Sequence, residues 1–408
     1  MSADPACICP LTPLDPLPRW TADLQGCGGT MRMEIDDFEV EELPAYLPSG
    51  QGDHLFLWIE KRDMAAETLR KVIARSLGVS PGDIGMAGLK DRRAITRQWV
   101  SVPRKAESAL ARLDDRRITV LDAVAHKNKL RTGHLRGNRF RVRLRGTQAD
   151  AEALVGAKVA RIADRGVPNF YGSQRMGHGG ATLAAGWALA HGAQGFVRVR
   201  LPDGTDHGLD LGDRALRRLA ASALQAEVFN RTLAARMAAG TFDRLIDGDI
   251  CEKTDSGGQF TTDAPDRDQA RLDAGAIAVT GPMWGPRMAL AQRGAGDLEA
   301  SVLSGCGLCL DDFAALGHLA EGTRRPLSVR VGDLQFYRDD LGLVLTFDLP
   351  AGAYATGVVG EIAGPTAASD PAIPDVAVRT AVTASAANDP CIAAPNPVGR
   401  GAARHSAQ

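Results

Sequence analysis

Residues 139–145 read RFRVRLR, a strict two-residue alternation that sets one β-strand with two unlike faces. Phe140, Val142 and Leu144 fall on one face, and Arg139, Arg141, Arg143 and Arg145 on the other. The strand closes a stretch, 123–149, that contains no acid and eight cations: Lys127, Lys129, Arg131, Arg136 and the four strand arginines. Gly133, Gly137 and Asn138 stand just before the strand, where backbone or amide groups can approach a ligand. The bland reading is a solvated charged face. An unneutralised run repels itself, however, and a row of arginines on one strand face is suited to tracking phosphates.

The formal net charge is only −1, so any polyanion must be met by a local basic surface rather than by the whole protein. With 44% hydrophobic and 24% charged residues over 408 positions, the chain is expected to be globular and long enough for two domains. No run approaches the roughly 20 apolar residues of a membrane span, and no basic-then-apolar leader opens the chain. A soluble cytoplasmic protein without a membrane partner is expected. Of the seven cysteines, only Cys306 and Cys309 form a CxxC pair, and no second pair completes a zinc site. Reduced thiols and no metal are expected.

Residues 1–20 are Pro-rich and read as a mobile lead-in, while 363–408 lack any aromatic residue and read as a disordered Ala/Pro-rich tail. Between them, 54–59 (HLFLWI) and 342–350 (GLVLTFDLP) read as strands. Residues 64–77, 150–165 and 213–239 read as helices, the first with Asp63 as its N-cap. The segment 240–300, rich in Gly, Asp and Pro, reads as loops and short strands. The mixture predicts an α+β chain.

Two further segments carry chemistry. In 85–98 (GMAGLKDRRAITRQ), Asp91 is the only acid between Asp83 and Glu107, among Lys90, Arg92, Arg93, Arg97, Arg104 and Lys105. Neighbouring cations favour an ionised carboxylate, which can serve as nucleophile or base toward a polyanion. A surface pair of Asp91 with Arg93 is the plain alternative. In 167–177 (VPNFYGSQRMG), Phe170 and Tyr171 precede Gln174 and Arg175, a pattern that either stacks a base or plugs an inter-domain hinge.

Together these segments resemble the TruD family of pseudouridine synthases. The matching runs are 37–42 (DFEVEE), 85–98, 129–140 (KLRTGHLRGNRF), 168–177 (PNFYGSQRMG), 281–285 (GPMWG) and 347–356 (FDLPAGAYAT), in the family's order and spanning about 25–362. The resemblance implies a pseudouridine-synthase mixed β-sheet flanked by helices. It also implies a discontinuous catalytic domain, 21–163 and 321–362, with a family-specific α/β domain inserted at 164–320. The implied activity isomerises uridine to pseudouridine in tRNA at position 13, acting as a monomer with no obligatory protein partner.

Matched residue by residue, Asp91 falls on the catalytic aspartate, Phe140 on the aromatic that stacks the target base, and Asn138 on an active-site amide. Phe347 falls on a further site aromatic, and Phe38 and Glu41 lie in the N-terminal motif. Lys90 adjoins the aspartate. Arg32 stands where the family's pattern has a lysine, and a planar fork does not replace a point ammonium. The DFEVEE run lacks the family's usual Pro-Glu-Asp-Phe start, and Gly360-Glu361 stands where Arg-Glu is usual. Arg139, Arg141, Arg143 and Arg175 are expected to hold the RNA backbone. The isomerisation needs no cofactor. An RNA-binding protein with a decayed site is the alternative, and the intact GLKDRRAITRQ run speaks against it. A phosphate-cradle enzyme is disfavoured because no GxxxxGK[ST] run is present.

Overall fold

A computed structural model describes residues 7–200, 204 and 206–365. The tail expected from 363 onward lies outside the described residues from 366 on.

Nine strands form one mixed sheet. They are β1 (Gly28–Met31), β2 (Phe38–Pro44), β3 (His54–Arg62), β4 (Gly85–Met86), β5 (Ile95–Pro103), β6 (Ile118–His126), β7 (Leu135–Thr147), β8 (Gly332–Asp339) and β9 (Gly342–Pro350). The order across the sheet is β8-β9-β7-β2-β5-β3-β6, with β1 beside β7 and β4 beside β5. Only β2 and β5 pair parallel; the rest are antiparallel.

The alternating strand is β7, and its apolar side faces a core. Phe140, Val142 and Leu144 join Phe38 and Val40 of β2 and Leu343, Leu345, Phe347 and Leu349 of β9. Helices α2 (Ala151–Arg165) and α5 (Ala355–Ala363) cover them with Val155, Ile162, Val358 and Ile362. A second core holds Leu55, Leu57 and Ile59 of β3 and Val100 and Val102 of β5, covered by Leu69, Ile73 and Leu77 of α1 (Ala66–Leu77). In-register partners point to the same side of a sheet. The row Phe347–Phe140–Val40–Thr96–Lys61 runs in register from β9 through β7, β2 and β5 to β3. Both cores therefore lie on one face, and this row crosses the sheet between their helices.

The arginines face the other way, and they are not bare. Arg139 bonds Asp348 at 2.8 Å, Arg141 bonds Glu39 at 3.1 Å, Arg143 bonds Asp339 at 2.6 Å, and Arg145 bonds Asp37 at 2.8 Å. The acids come from neighbouring β2, β8 and β9 and from the turn before β2, so the four arginines of 139–145 are neutralised laterally. Arg143 holds the Asp339 carboxyl below its usual range. Sheet pairing thus supplies these β7 arginines with counter-charges that the local sequence lacks. Asp63 is likewise not the cap of α1. The N-cap is Ala65, which makes no side-chain cap bond. Asp63 instead takes a left-handed φ of 41° and turns its carboxylate toward Arg92, 3.8 Å away.

The chain leaves this sheet through 167–168 and returns through 328–329, two short strands paired side by side. Between them lies a separate core around α4 (Arg214–Ala238), whose buried face includes Leu224, Val228, Phe229 and Leu233. It packs on α3 (Ala181–Ala190) so closely that a Cβ at Gly186 would lie 2.3 Å from the Ala220 carbonyl oxygen. A four-stranded sheet made of Gln259–Thr261, Ile250–Lys253, Ile277–Met283 and Thr323–Pro326 completes it.

Of the expected mobile lead-in, residues 1–6 lie outside the described residues and 7–20 are ordered. Cys7–Ile8 pairs with Phe196–Arg200, and Cys9 and Leu11 are buried in the second unit's core. Glu361 of α5 then pins the following turn: its carboxylate accepts from Trp20 N and Thr21 N, both at 2.8 Å, and from Thr21 Oγ1 at 2.7 Å. Buried Lys158 of α2 donates to the Glu361 carbonyl oxygen at 2.6 Å and to Thr21 Oγ1 at 3.1 Å. A Cβ at Gly360 meets nothing within 4 Å, so that departure from the family pattern leaves the packing undisturbed. Glu361→Ala strips Trp20 N and Thr21 N of their acceptor, while Thr21 Oγ1 keeps the Glu361 carbonyl oxygen at 2.8 Å, and is expected to lower stability by about 3 kcal/mol in urea unfolding, with Glu361→Gln costing less. Equal stability of the Ala variant and the wild type would contradict this anchoring.

Candidate active site

Asp91 sits in the loop between β4 and β5, with its side chain 42% exposed. Its sequence neighbours do not neutralise it. Lys90 turns the other way and donates to Glu42 at 3.0 Å, both groups buried. Arg92 faces Asp63, and Arg93 donates to the Arg32 carbonyl oxygen at 3.5 Å. The cation on Asp91 is Arg32, whose Nη2 donates to Oδ1 at 3.0 Å. Arg32 has a left-handed φ of 58°, and its guanidinium carbon lies 3.9 Å from the centre of the Phe38 ring.

Lys61 grips the same residue from below, donating from Nζ to the Asp91 carbonyl oxygen at 2.7 Å. It is the end member of the cross-sheet row and is fully buried. Burial pushes its ammonium down to about 8, against the opposing pull of the Asp91 charge. Burial likewise pushes the Glu42 carboxyl up, while Lys90 pulls it back.

Phe140 and Phe347 stack at 5.4 Å with 24° between their planes, and Phe38 lies 6.1 Å from Phe140. All three rings are buried. Asn138 follows Gly137, where a Cβ would come within 2.1 Å of the Leu349 carbonyl oxygen, so only glycine lets β9 pass this close. The Asn138 Oδ1, the Thr96 Oγ1 and both amide atoms of Gln98 are buried without a hydrogen-bond partner. Such groups cost about 1–3 kcal/mol each when left unmade, and they mark this row as a place prepared for a polar occupant.

The structure thus brings together Asp91, Arg32, Phe38, Asn138, Phe140 and Phe347, and it links Lys90 to them through Glu42. Other expected residues lie elsewhere. Glu41 is on the opposite sheet face, 3.8 Å from Arg97, because it alternates out of phase with Phe38, Val40 and Glu42. Arg139, Arg141 and Arg143 share that far face. Arg175 belongs to the second unit and bonds Ser222 Oγ at 2.6 Å. A surface pocket lined by Arg165, Asp243, Thr254, Leu272 and Arg330 contains none of these residues. Lys61 and Glu42 were missed in the sequence, although a signal was present. Each continues the apolar phase of its strand, Leu55–Leu57–Ile59–Lys61 and Phe38–Val40–Glu42, where a charge must be buried and therefore paired.

An accessible carboxylate with one arginine nitrogen on it stands near stacked aromatics and unpartnered amides, an arrangement suited to a planar polar substrate. The tRNA pseudouridine synthase D (TruD) family model matches residues 17–199 and 201–362. Among curated relatives, the tRNA pseudouridine synthase D of Anaeromyxobacter dehalogenans is 45% identical over 347 residues, 85% of this chain and 96% of that protein. The tRNA pseudouridine synthase D of Thermus thermophilus is 40% identical over 349 residues, covering 85% and 91%. The crystal structure of a Methanosarcina mazei protein assigned as tRNA pseudouridine synthase D superposes with a TM-score of 0.70 at 25% identity, covering 86% of this chain and 97% of that one. The chain belongs to the TruD family of pseudouridine synthases, and its α+β fold is that family's.

The buried Lys61 has a measurable consequence. Burial pushes its pKa down to about 8 from the ordinary lysine value of 10.5, so between these values the unfolded chain holds a proton that the native state lacks. Stability from this site therefore rises with pH across that window. Lys61→Met removes the dependence, and the stability gap between Met variant and wild type in urea unfolding is expected to shift in favour of the wild type from pH 7 to pH 10. Parallel curves for the two proteins would show that Lys61 keeps an ordinary pKa.

Proposed function

We propose that this protein is a cytoplasmic, monomeric tRNA pseudouridine synthase that isomerises the uridine at position 13, with Asp91 as its catalytic carboxylate. The sheet of 21–163 and 321–362 is the catalytic domain in this reading, and 164–320 the family-specific insert. The placement of Asp91 carries the proposal: an accessible carboxylate held by Arg32 through its side chain and by Lys61 through its backbone.

Isomerisation breaks the C1′–N1 bond, turns the uracil and joins C5 to C1′; C5 loses a proton and N1 gains one. A base stacked in folded RNA cannot turn, so the nucleotide is extruded at a cost of a few kcal/mol. Stacking on Phe140 returns about 1–3 kcal/mol. Because Phe140 is already closed on Phe347, uracil entry includes a local opening of the aromatic cluster. The unpartnered Asn138 Oδ1 is suited to accept the uracil N3–H. Asp91 acts by one of two routes, as a nucleophile or as the base that removes a sugar proton. Either needs the carboxylate within reach of the nucleotide, and Arg32 Nη2 holds it in place through Oδ1.

Asp91→Asn is expected to bring pseudouridine formation on unmodified tRNA below detection while RNA affinity stays within a few-fold, since phosphate contacts lie elsewhere. The readout is pseudouridine in the product RNA alongside a binding titration. Substantial activity in that variant removes Asp91 from the chemistry.

A further inference from the structure

The eight cations of 123–149 divide in the structure into two sets of four. Arg139, Arg141, Arg143 and Arg145 are ion-paired on the sheet face opposite Asn138 and Phe140. Lys127, Lys129, Arg131 and Arg136, in the segment joining β6 to the start of β7, pair with no carboxylate among the described residues. Lys129 Nζ donates to the Gly82 carbonyl oxygen and Arg136 Nε to that of Pro44, contacts that fix the side chains without cancelling their charge. Lys127, Arg131 and Arg136 are exposed.

This segment lies against the active site. Gly133 N donates to the Ala87 carbonyl oxygen at 2.8 Å, docking the segment on the approach to Asp91, and it then runs directly into Asn138 and Phe140. An aromatic flanks it. The hydroxyl of Tyr46 is 2.7 Å from His134 Nδ1, its ring stacks on His126 at 5.3 Å with 21° between planes, and it remains 37% exposed.

We propose that residues 127–136, with Tyr46, form the surface that holds the RNA strand flanking the target nucleotide: the four cations on its phosphates and Tyr46 on a neighbouring base. This rests on the reading of the protein as an RNA isomerase. Four like charges within ten residues, none with a carboxylate partner among the described residues, leave a local positive potential that a polyanion can meet, and phosphates do so with release of counterions. The β7 arginines gain nothing comparable, since a phosphate must compete with a carboxylate already bound. An exposed tyrosine beside a phosphate track is the usual means of holding an unpaired base without regard to sequence.

The test is a titration of full-length protein with an unmodified tRNA transcript at several KCl concentrations. Lys127→Ala/Arg131→Ala/Arg136→Ala is expected to weaken binding more than tenfold and to reduce the slope of log Kd against log salt by about 2, at roughly 0.7–0.9 per lost phosphate contact. Tyr46→Ala is expected to weaken binding several-fold with the slope unchanged, because stacking releases no counterions. Arg139→Gln/Arg141→Gln should leave the slope as in the wild type. An unchanged slope in the triple variant, or equal slope losses in the triple and β7 variants, overturns the assignment. Pseudouridine formation by the wild type on the same transcript separates the two claims. Turnover with normal binding by the triple variant sinks the surface alone; no turnover, with binding lost in that variant, sinks the isomerase reading alone.

Discussion

Cross-strand register is the constraint on which the site depends. Phe347, Phe140, Val40, Thr96 and Lys61 are scattered through the chain, yet the hydrogen-bonded ladder from β9 to β3 sets them in one line. A shift of one residue in any of these strands would carry its members to the opposite face. The aromatic pair and the buried ammonium are therefore two ends of a single feature. The Asp91 loop is tied to this feature through Lys61 on its backbone and Arg32 on its carboxylate.

The two faces of the sheet solve the same electrostatic problem differently. On the outer face, Arg97, Arg139, Arg141 and Arg143 interleave with Glu39, Glu41, Glu60, Asp339 and Asp348, a lattice in which Arg97, Arg141, Glu39 and Asp339 each have two or more partners. On the inner face charge is sparse and held by specific bonds: Lys90 with Glu42, Lys61 with a carbonyl, Arg32 with Asp91. Screening makes the exposed pairs individually weak, whereas burial makes the Lys90–Glu42 and Lys61 contacts costly to lose. Arg32 in a lysine position is compatible with this arrangement. Its planar fork covers the Phe38 ring while one nitrogen reaches Asp91.

The sequence by itself determined a good deal. Strict alternation in 139–145 defined a strand and its two faces, and helical spacing located 66–77, 151–165 and 214–238 within a residue or two, because these patterns are local. The family runs brought out Asp91, Asn138, Phe140 and Phe347, which the fold then gathered. Phase information was present but unused: Glu42 rather than Glu41 shares the face of Phe38, and Lys61 continues the line of Leu55, Leu57 and Ile59.

Only the tertiary structure decided which charges are partnered. Arg32 and Asp91 are 59 positions apart, and Arg143 and Asp339 are 196 apart, so no window of sequence shows either pair. For the same reason the basic stretch could not be divided in advance into arginines satisfied by neighbouring strands and a loop left with its charge. Counter-charges arrive through sheet pairing, and pairing is a property of the folded chain. Residues 7–20, read as mobile, are ordered for the same reason and not by any pattern of their own: Glu361 holds their end, and a core built by residues far along the chain buries Cys9 and Leu11.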